Sequence, residues 1–200
     1  KLRWVQLISS GTSHYPTESL KADGVTLTGV KFVKGPQMAE HAIALMLALT
    51  RNLKKAIMDQ AIEAHSGRAI GSLEIYGKTA LVLGLGGAGI PLAERLHALG
   101  MKVIGTNTRS LPVMNAIDYI GSPSELKTLL PKADVVFIAV PLNASTKGMF
   151  DDSTFAAMKK GSYLINIARG PIVDTDALVR ALESGRLAGA GLDVTEPSPL

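Results

Sequence analysis

Residues 77–110 read GKTALVLGLGGAGIPLAERLHALGMKVIGTNTRS, and no other stretch of the chain restricts its fold as far. Thr79 to Leu83 is a short apolar run with the length and composition of a strand buried on both faces, as parallel strands between two helix layers must be. Gly84, Gly86 and Gly89 follow at the spacing G-x-G-x-x-G. At that spacing the first glycine makes a tight turn, the second lets backbone approach a pyrophosphate, and the third lets a helix pack on the strand. From Ile90 to Leu99 the residues Leu92, Leu96 and Leu99 recur at helical spacing, Pro91 suits a first turn, and Gly100 is placed to end the helix. Met101 to Thr106 then returns as a second strand. The helix N-terminus therefore points at the glycines, with the unpaired N–H groups and positive dipole end that a pyrophosphate needs. Glycines of an ordinary turn would not bring strand, helix and second strand with them. The stretch reads as a dinucleotide site with Gly84, Gly86, Gly87, Ala88 and Gly89 as cofactor-binding residues.

The end of the second strand, Thr106-Asn107-Thr108-Arg109-Ser110, bears on which dinucleotide is bound. A site selective for NAD places Asp or Glu there, about 20 residues beyond the glycines, to bind the ribose 2′-hydroxyl. Asn107 occupies that place here. A carboxylate about 4 Å from a 2′-phosphate would be repelled by roughly 4 kcal/mol per unit charge at an effective dielectric near 20, and Asn removes that penalty. Arg109 offers a guanidinium for charge-assisted bonds to the phosphate, while Thr108 and Ser110 can add hydroxyl donors. The expected cofactor is NADP. If Arg109 is instead solvated beside the adenine, NAD is accepted as well.

The rest of the chain continues the same alternation. Val135 to Val140 is a continuously apolar strand, Tyr163 to Ala168 another, and Leu187 to Val194 a small-residue strand. Between them, Ser122-Pro123-Ser124-Glu125 has the form of a capping box with Pro131 closing its helix, Thr154 to Lys160 is a short helix, and Asp174 or Thr175 caps a helix running to Glu183 before Gly185. Such alternation over residues 79–194 implies a doubly wound parallel sheet of Rossmann type, an α/β fold whose ligand crevice lies beyond the strand carboxyl ends. Ahead of it, Pro36 marks a break, and Met38 to Met58 reads as one long helix buried at its middle. Residues 65–76 form an irregular connection. Leu2 to Ile8 and Val25 to Leu27 are strand candidates, and two strands cannot make a core. Residues 1–36 are therefore expected to be the trailing part of a second α/β domain, the substrate domain, with 37–200 as the dinucleotide-binding domain.

Composition narrows the class. With 46% apolar residues a sizeable core is available, and the absence of cysteine excludes disulfides, thiolate metal sites and cysteine nucleophiles. No metal site is expected. The longest uninterrupted apolar run, Ala42 to Leu49, is too short to cross a bilayer. The net charge of +4 is scattered and not interleaved with aromatics, which make up 4%, so a solvated basic surface is expected and a nucleic-acid partner is not.

In order along the chain stand Ser9-Ser10-Gly11, Ala39-Glu40-His41, Gly77-Lys78-Thr79, Pro141-Leu142, Asn166-Ile167-Ala168-Arg169-Gly170 and Asp193-Val194-Thr195-Glu196-Pro197. With these motifs the sequence resembles the D-isomer-specific 2-hydroxyacid dehydrogenases over essentially its whole length. The resemblance implies two domains closing over a cleft, a nicotinamide at the carboxyl end of the sheet, and an oxidoreductase acting on a small 2-keto or 2-hydroxy acid. It also implies residue roles. Arg169 would bind and polarise the 2-keto acid, and Glu196 would pair with a catalytic histidine and raise its pKa. Ser10 and Gly11 would present N–H groups to the substrate carboxylate. Asp193 would meet the nicotinamide side of the cofactor, with Pro141, Ile167, Ala168 and Arg169 completing its site. The chain departs from the family pattern at Ser13, where many relatives carry an acid. It also lacks the catalytic histidine expected after Glu196, and His14, His41, His65 and His97 read as structural or exposed. A fragment of a longer cytoplasmic, homodimeric enzyme is the resulting expectation. The alternative is a dinucleotide-responsive interaction protein on the same fold, because fold alone does not decide function.

Overall fold

The structure, a computed structural model, describes residues 2–8, 11, 15–30, 33–61, 72–112 and 114–198. Two short strands, β1 (Trp4–Leu7) and β2 (Thr26–Gly29), pair in parallel around helix α1 (Thr17–Ala22) and form a sheet of their own. Helices α2 (Gly35–Thr50) and α3 (Leu53–Ala61) lead into the main body. There β3 (Thr79–Leu83), α4 (Gly89–Ala98), β4 (Lys102–Thr106), β5 (Tyr119–Gly121), α5 (Leu126–Leu129), β6 (Val135–Ile138), α6 (Asp152–Ala157), β7 (Ser162–Asn166), α7 (Thr175–Glu183) and β8 (Leu187–Leu192) follow in order. Six of these strands make one parallel sheet in the order β5-β4-β3-β6-β7-β8, so the order in which strands are added reverses between β3 and β6. That reversal opens the crevice a doubly wound sheet offers to ligands.

Strand alternation divides the core into two layers. Ala80, Val82, Val103, Val135, Phe137 and Ile165 face α2 and α4, whereas Leu81, Leu83, Val136, Ile138 and Leu164 face the helices that follow β5. Both faces are covered, which is why these strands carry almost unbroken apolar sequence. The exception is β8, where Gly189 and Gly191 lie beneath α2: a Cβ on either would come within 3.2 Å and 3.0 Å of Leu49 and Leu45. Small residues there let the helix approach the backbone of the strand.

Several expected bounds shift. The long helix starts at Gly35, with Pro36 in its first turn, and does not run through to Met58. It breaks after Thr50, where Asn52 takes φ 51° and α3 starts anew. Asn adopts that left-handed conformation more readily than most residues, and a helix cannot pass through it. On α2 the fully covered positions are Ala39, Ala42, Met46 and Thr50, one stripe at helical spacing, so only this side is core. The strand β5 was not marked by the sequence. The capping box forms, with the Ser122 N–H donating to Glu125 Oε1 at 2.7 Å, and the helix ends at Leu129, ahead of a 3-10 turn (Leu130–Lys132) that contains Pro131. The Tyr119 hydroxyl also donates to Glu125, which holds that carboxyl below its ordinary range. α6 begins two residues early because Asp151 caps it, accepting the Thr154 N–H at 2.8 Å, and this bond with that of the Ser153 hydroxyl lowers the Asp151 pKa to about 2. Asp174 is the cap of α7, accepting from the Ala177 N–H at 3.0 Å.

Two glycines of the turn behave oppositely. A Cβ on Gly89 would lie 1.9 Å from the Gly84 carbonyl oxygen, so α4 packs on β3 backbone to backbone; a Cβ on Gly86 would meet nothing within 4 Å. Gly89→Ala is therefore expected to destabilise the fold by about 1–3 kcal/mol. Gly86→Ala should stay within about 0.5 kcal/mol of the parent in the same urea titration. Equal effects of the two substitutions would contradict this assignment.

Candidate functional site

The site lies along the carboxyl ends of the six strands. At its centre the turn after β3 places Gly84, Gly86, Gly87 and Ala88 ahead of α4, whose first turn has no side-chain cap. The Ile90 N–H donates to the Gly86 carbonyl at 3.1 Å and Pro91 has none, so the N–H groups left for a ligand are those of the turn up to Gly89, and the open space beside Gly86 is where backbone must admit one. The first turn of α2 closes in from the other side, since a Cβ on Gly35 would lie 2.0 Å from the Gly87 carbonyl oxygen. These features fit a bound pyrophosphate. Among the described residues no cluster of His, Asp and Glu could hold a metal ion.

To one side of the turn, at the end of β4, the Asn107 N–H donates to the Gly121 carbonyl at 3.0 Å. Its side-chain amide donates to the Arg109 carbonyl at 3.0 Å, folding residues 107–109 into a tight loop. Thr108, Arg109 and Ser110 are exposed, and the Arg109 guanidinium has no hydrogen-bond or ion-pair partner among the described residues. To the other side stand the ends of β6, β7 and β8. Pro141 is exposed there, whereas Ile167 and Ala168 are 2% and 7% exposed and offer a ligand little surface.

Arg169 follows them. Its Nη1 donates to the Ala168 carbonyl at 2.6 Å, and a Cβ on Gly11 would stand 2.5 Å from its Nη2, so the guanidinium fills the gap between the end of β7 and the segment after β1. Two candidate substrate residues from opposite ends of the chain therefore meet, while Ser10, Ser13, His14 and His65 lie outside the described residues. Glu196 is brought alongside by the next residue: a Cβ on Gly170 would lie 2.1 Å from the Thr195 carbonyl oxygen and 2.8 Å from the Glu196 nitrogen. The Thr175 hydroxyl donates to the Glu196 carbonyl and holds this segment down. The Glu196 carboxylate is exposed and has no partner among the described residues.

Two further residues, both within the motifs quoted from the sequence but given no role in the site there, support it. Asn166, 1% exposed at the end of β7, accepts the Ala168 N–H at 3.0 Å and donates to the Arg169 carbonyl at 3.1 Å, fixing the turn that aims Arg169. An Asn closing an apolar strand was the available hint. His41 lies with its Nε2 3.2 Å from Asp193 Oδ1, whereas His97 on α4 is exposed. Asp193 itself is tied to the sheet by its N–H, which donates to the Asn166 carbonyl at 3.0 Å.

Comparison with known proteins bears on the family and the fold. Residues 43–200 match the family described as D-isomer specific 2-hydroxyacid dehydrogenase, NAD binding domain. The chain is 34% identical to a glyoxylate reductase of Thermofilum pendens, covering 100% of itself and 60% of that protein. It is likewise 34% identical to the D-3-phosphoglycerate dehydrogenase of Rattus norvegicus, again over its full length but 37% of the relative. A glyoxylate reductase structure from Paecilomyes thermophila superposes with a TM-score of 0.91 at 32% identity, covering 99% of this chain and 60% of that one. The chain thus spans between about a third and three fifths of the proteins it matches.

Asn166→Leu keeps the branching and heavy-atom count of the side chain but leaves the buried Ala168 N–H without an acceptor. It is expected to cost about 1–3 kcal/mol in chemical denaturation. A loss below about 0.5 kcal/mol, the range of ordinary surface substitutions, would show that the turn does not depend on it.

Proposed function

Since the chain belongs to the D-isomer-specific 2-hydroxyacid dehydrogenase family, we propose that it is the dinucleotide-binding part of an oxidoreductase that moves a hydride between NADP(H) and a small 2-keto or D-2-hydroxy acid. In this reading residues 1–36 are the end of a substrate domain and 37–200 the nucleotide domain. The observation that carries it is the Arg169 guanidinium, held at the end of β7 and against Gly11. A planar, permanently charged fork suits both the substrate carboxylate and the alkoxide that develops at the carbonyl. Gly11, together with Ser10, would offer N–H groups to the same carboxylate. Glu196 stands beside Arg169 in position to pair with a histidine from the remainder of the protein, which would then hold a proton for the carbonyl oxygen. The bound nicotinamide would supply the hydride.

The full-length protein should reduce at least one of glyoxylate, hydroxypyruvate and pyruvate. Arg169→Lys, folding normally, should lose about 100-fold or more in kcat/KM, because an ammonium cannot reproduce the bidentate grip. A near wild-type value would remove Arg169 from the site. Complete inactivity of the parent with retained dinucleotide binding would favour the interaction protein instead.

The preference for NADP over NAD is supported by the loop after β4. Asn107 is committed to the Arg109 carbonyl, no carboxylate occupies that position, and the Arg109 guanidinium is exposed and unpartnered among the described residues. That arrangement suits a 2′-phosphate. The expected outcome is a kcat/KM with NADPH above that with NADH for the full-length protein, reversed by Asn107→Asp combined with Arg109→Ala. A parent ratio at or below one would contradict the assignment.

The reading extends to a cytoplasmic homodimer. None of α3 is buried, and Leu53, Ile57 and Met58 are exposed by 46%, 65% and 58%, more apolar surface than a nine-residue helix would keep in water without cover. No described helix is long and apolar enough to cross a membrane.

A further inference from the structure

Helix α2 runs against β8 in a repeating register. Leu49 is the neighbour of Gly189 and Leu45 of Gly191, each step being four residues back along the helix and two forward along the strand. Four helix residues rise about 6 Å and two strand residues about 6.6 Å, so the two elements stay in step while running in opposite directions. The next step pairs residue 41 with residue 193. There His41 Nε2 stands 3.2 Å from Asp193 Oδ1, with the two side chains 50% and 46% exposed. The contact is therefore fixed by the packing of a helix on a strand. Both ends are anchored: Ala39 and Ala42, flanking His41, are fully buried, and Asp193 is tied through its N–H to the Asn166 carbonyl.

Asp193 also lies on the far side of the switch point from Asn107 and Arg109, so a dinucleotide seated on the glycine turn with its adenosine toward β4 extends its other half toward β7 and β8. We propose that His41 is a positioning residue for cofactor binding: from α2 it aims the Asp193 carboxylate at the nicotinamide half of the dinucleotide. This rests on the dinucleotide reading given above. At that distance an imidazole Nε2–H can donate to one carboxylate oxygen and leave the other to accept from the ligand, as a carboxylate with two oxygens can. Because α2 also packs on the glycine turn through Gly35, one helix sets the register of both halves of the site.

The test uses the full-length protein, titrated with NADPH, NADH and the nicotinamide-free ligands ADP-ribose and 2′-phospho-ADP-ribose. His41→Ala should weaken the dinucleotides about five- to tenfold and the ADP-ribose ligands by less than about twofold. His41→Gln, which retains an N–H donor, should recover most of the loss, and His41→Ala should add nothing in an Asp193→Ala background. Equal weakening of both ligand classes, or none, overturns the proposal while leaving the dinucleotide reading intact. A parent protein that binds none of these ligands overturns both.

Discussion

The close contact of Gly89 with the Gly84 carbonyl oxygen governs the geometry of the whole crevice. No side chain fits between them, since a Cβ would lie 1.9 Å from that oxygen, so the start of α4 is held to the end of β3 by main chain alone. A backbone contact of this kind has no rotamers to relax, and it fixes where the helix N-terminus points. Everything else converges on that point. α2 packs its first turn on Gly87, the strand order reverses between β3 and β6, and the loops after β4, β6, β7 and β8 surround the uncapped N–H groups.

The second organising feature is the use of main-chain anchors to place charged side chains. Arg169 follows β7 while Asp193 and Glu196 follow β8, yet each is fixed through backbone: Arg169 by the Asn166 amide on its carbonyl, Glu196 by Gly170 and the Thr175 hydroxyl, and Asp193 by the Asn166 carbonyl on its N–H. Asn166 thus contributes to two of the three. Holding charged groups this way leaves their polar ends available to a ligand, and preorganised polar groups of this kind do most for transition-state charge.

The sheet was readable from sequence because its strands are buried on both faces, and continuous apolar runs bounded by Gly and Pro identify them. The glycine turn was readable because its spacing carries a steric demand. β5 was not, since its three residues are too few to show a period. The break between α2 and α3 falls where Asn52 adopts φ 51°, which no apolar pattern records. The positions of Arg169 and Glu196 could be marked by motif, but not their neighbourhood, because Arg169 meets Gly11 across most of the chain. His41 stood in the Ala39-Glu40-His41 motif and read as structural or exposed; only the register of α2 on β8 shows what it faces.

The central claim is that a pyrophosphate lies over Gly86 at the start of α4, and locating it in a crystal of the full-length protein with NADPH tests this most directly. Phosphate oxygens are expected at about 2.7–3.2 Å from backbone N–H groups within residues 86–89. A dinucleotide whose pyrophosphate is held elsewhere, with that turn out of hydrogen-bonding reach, would contradict it.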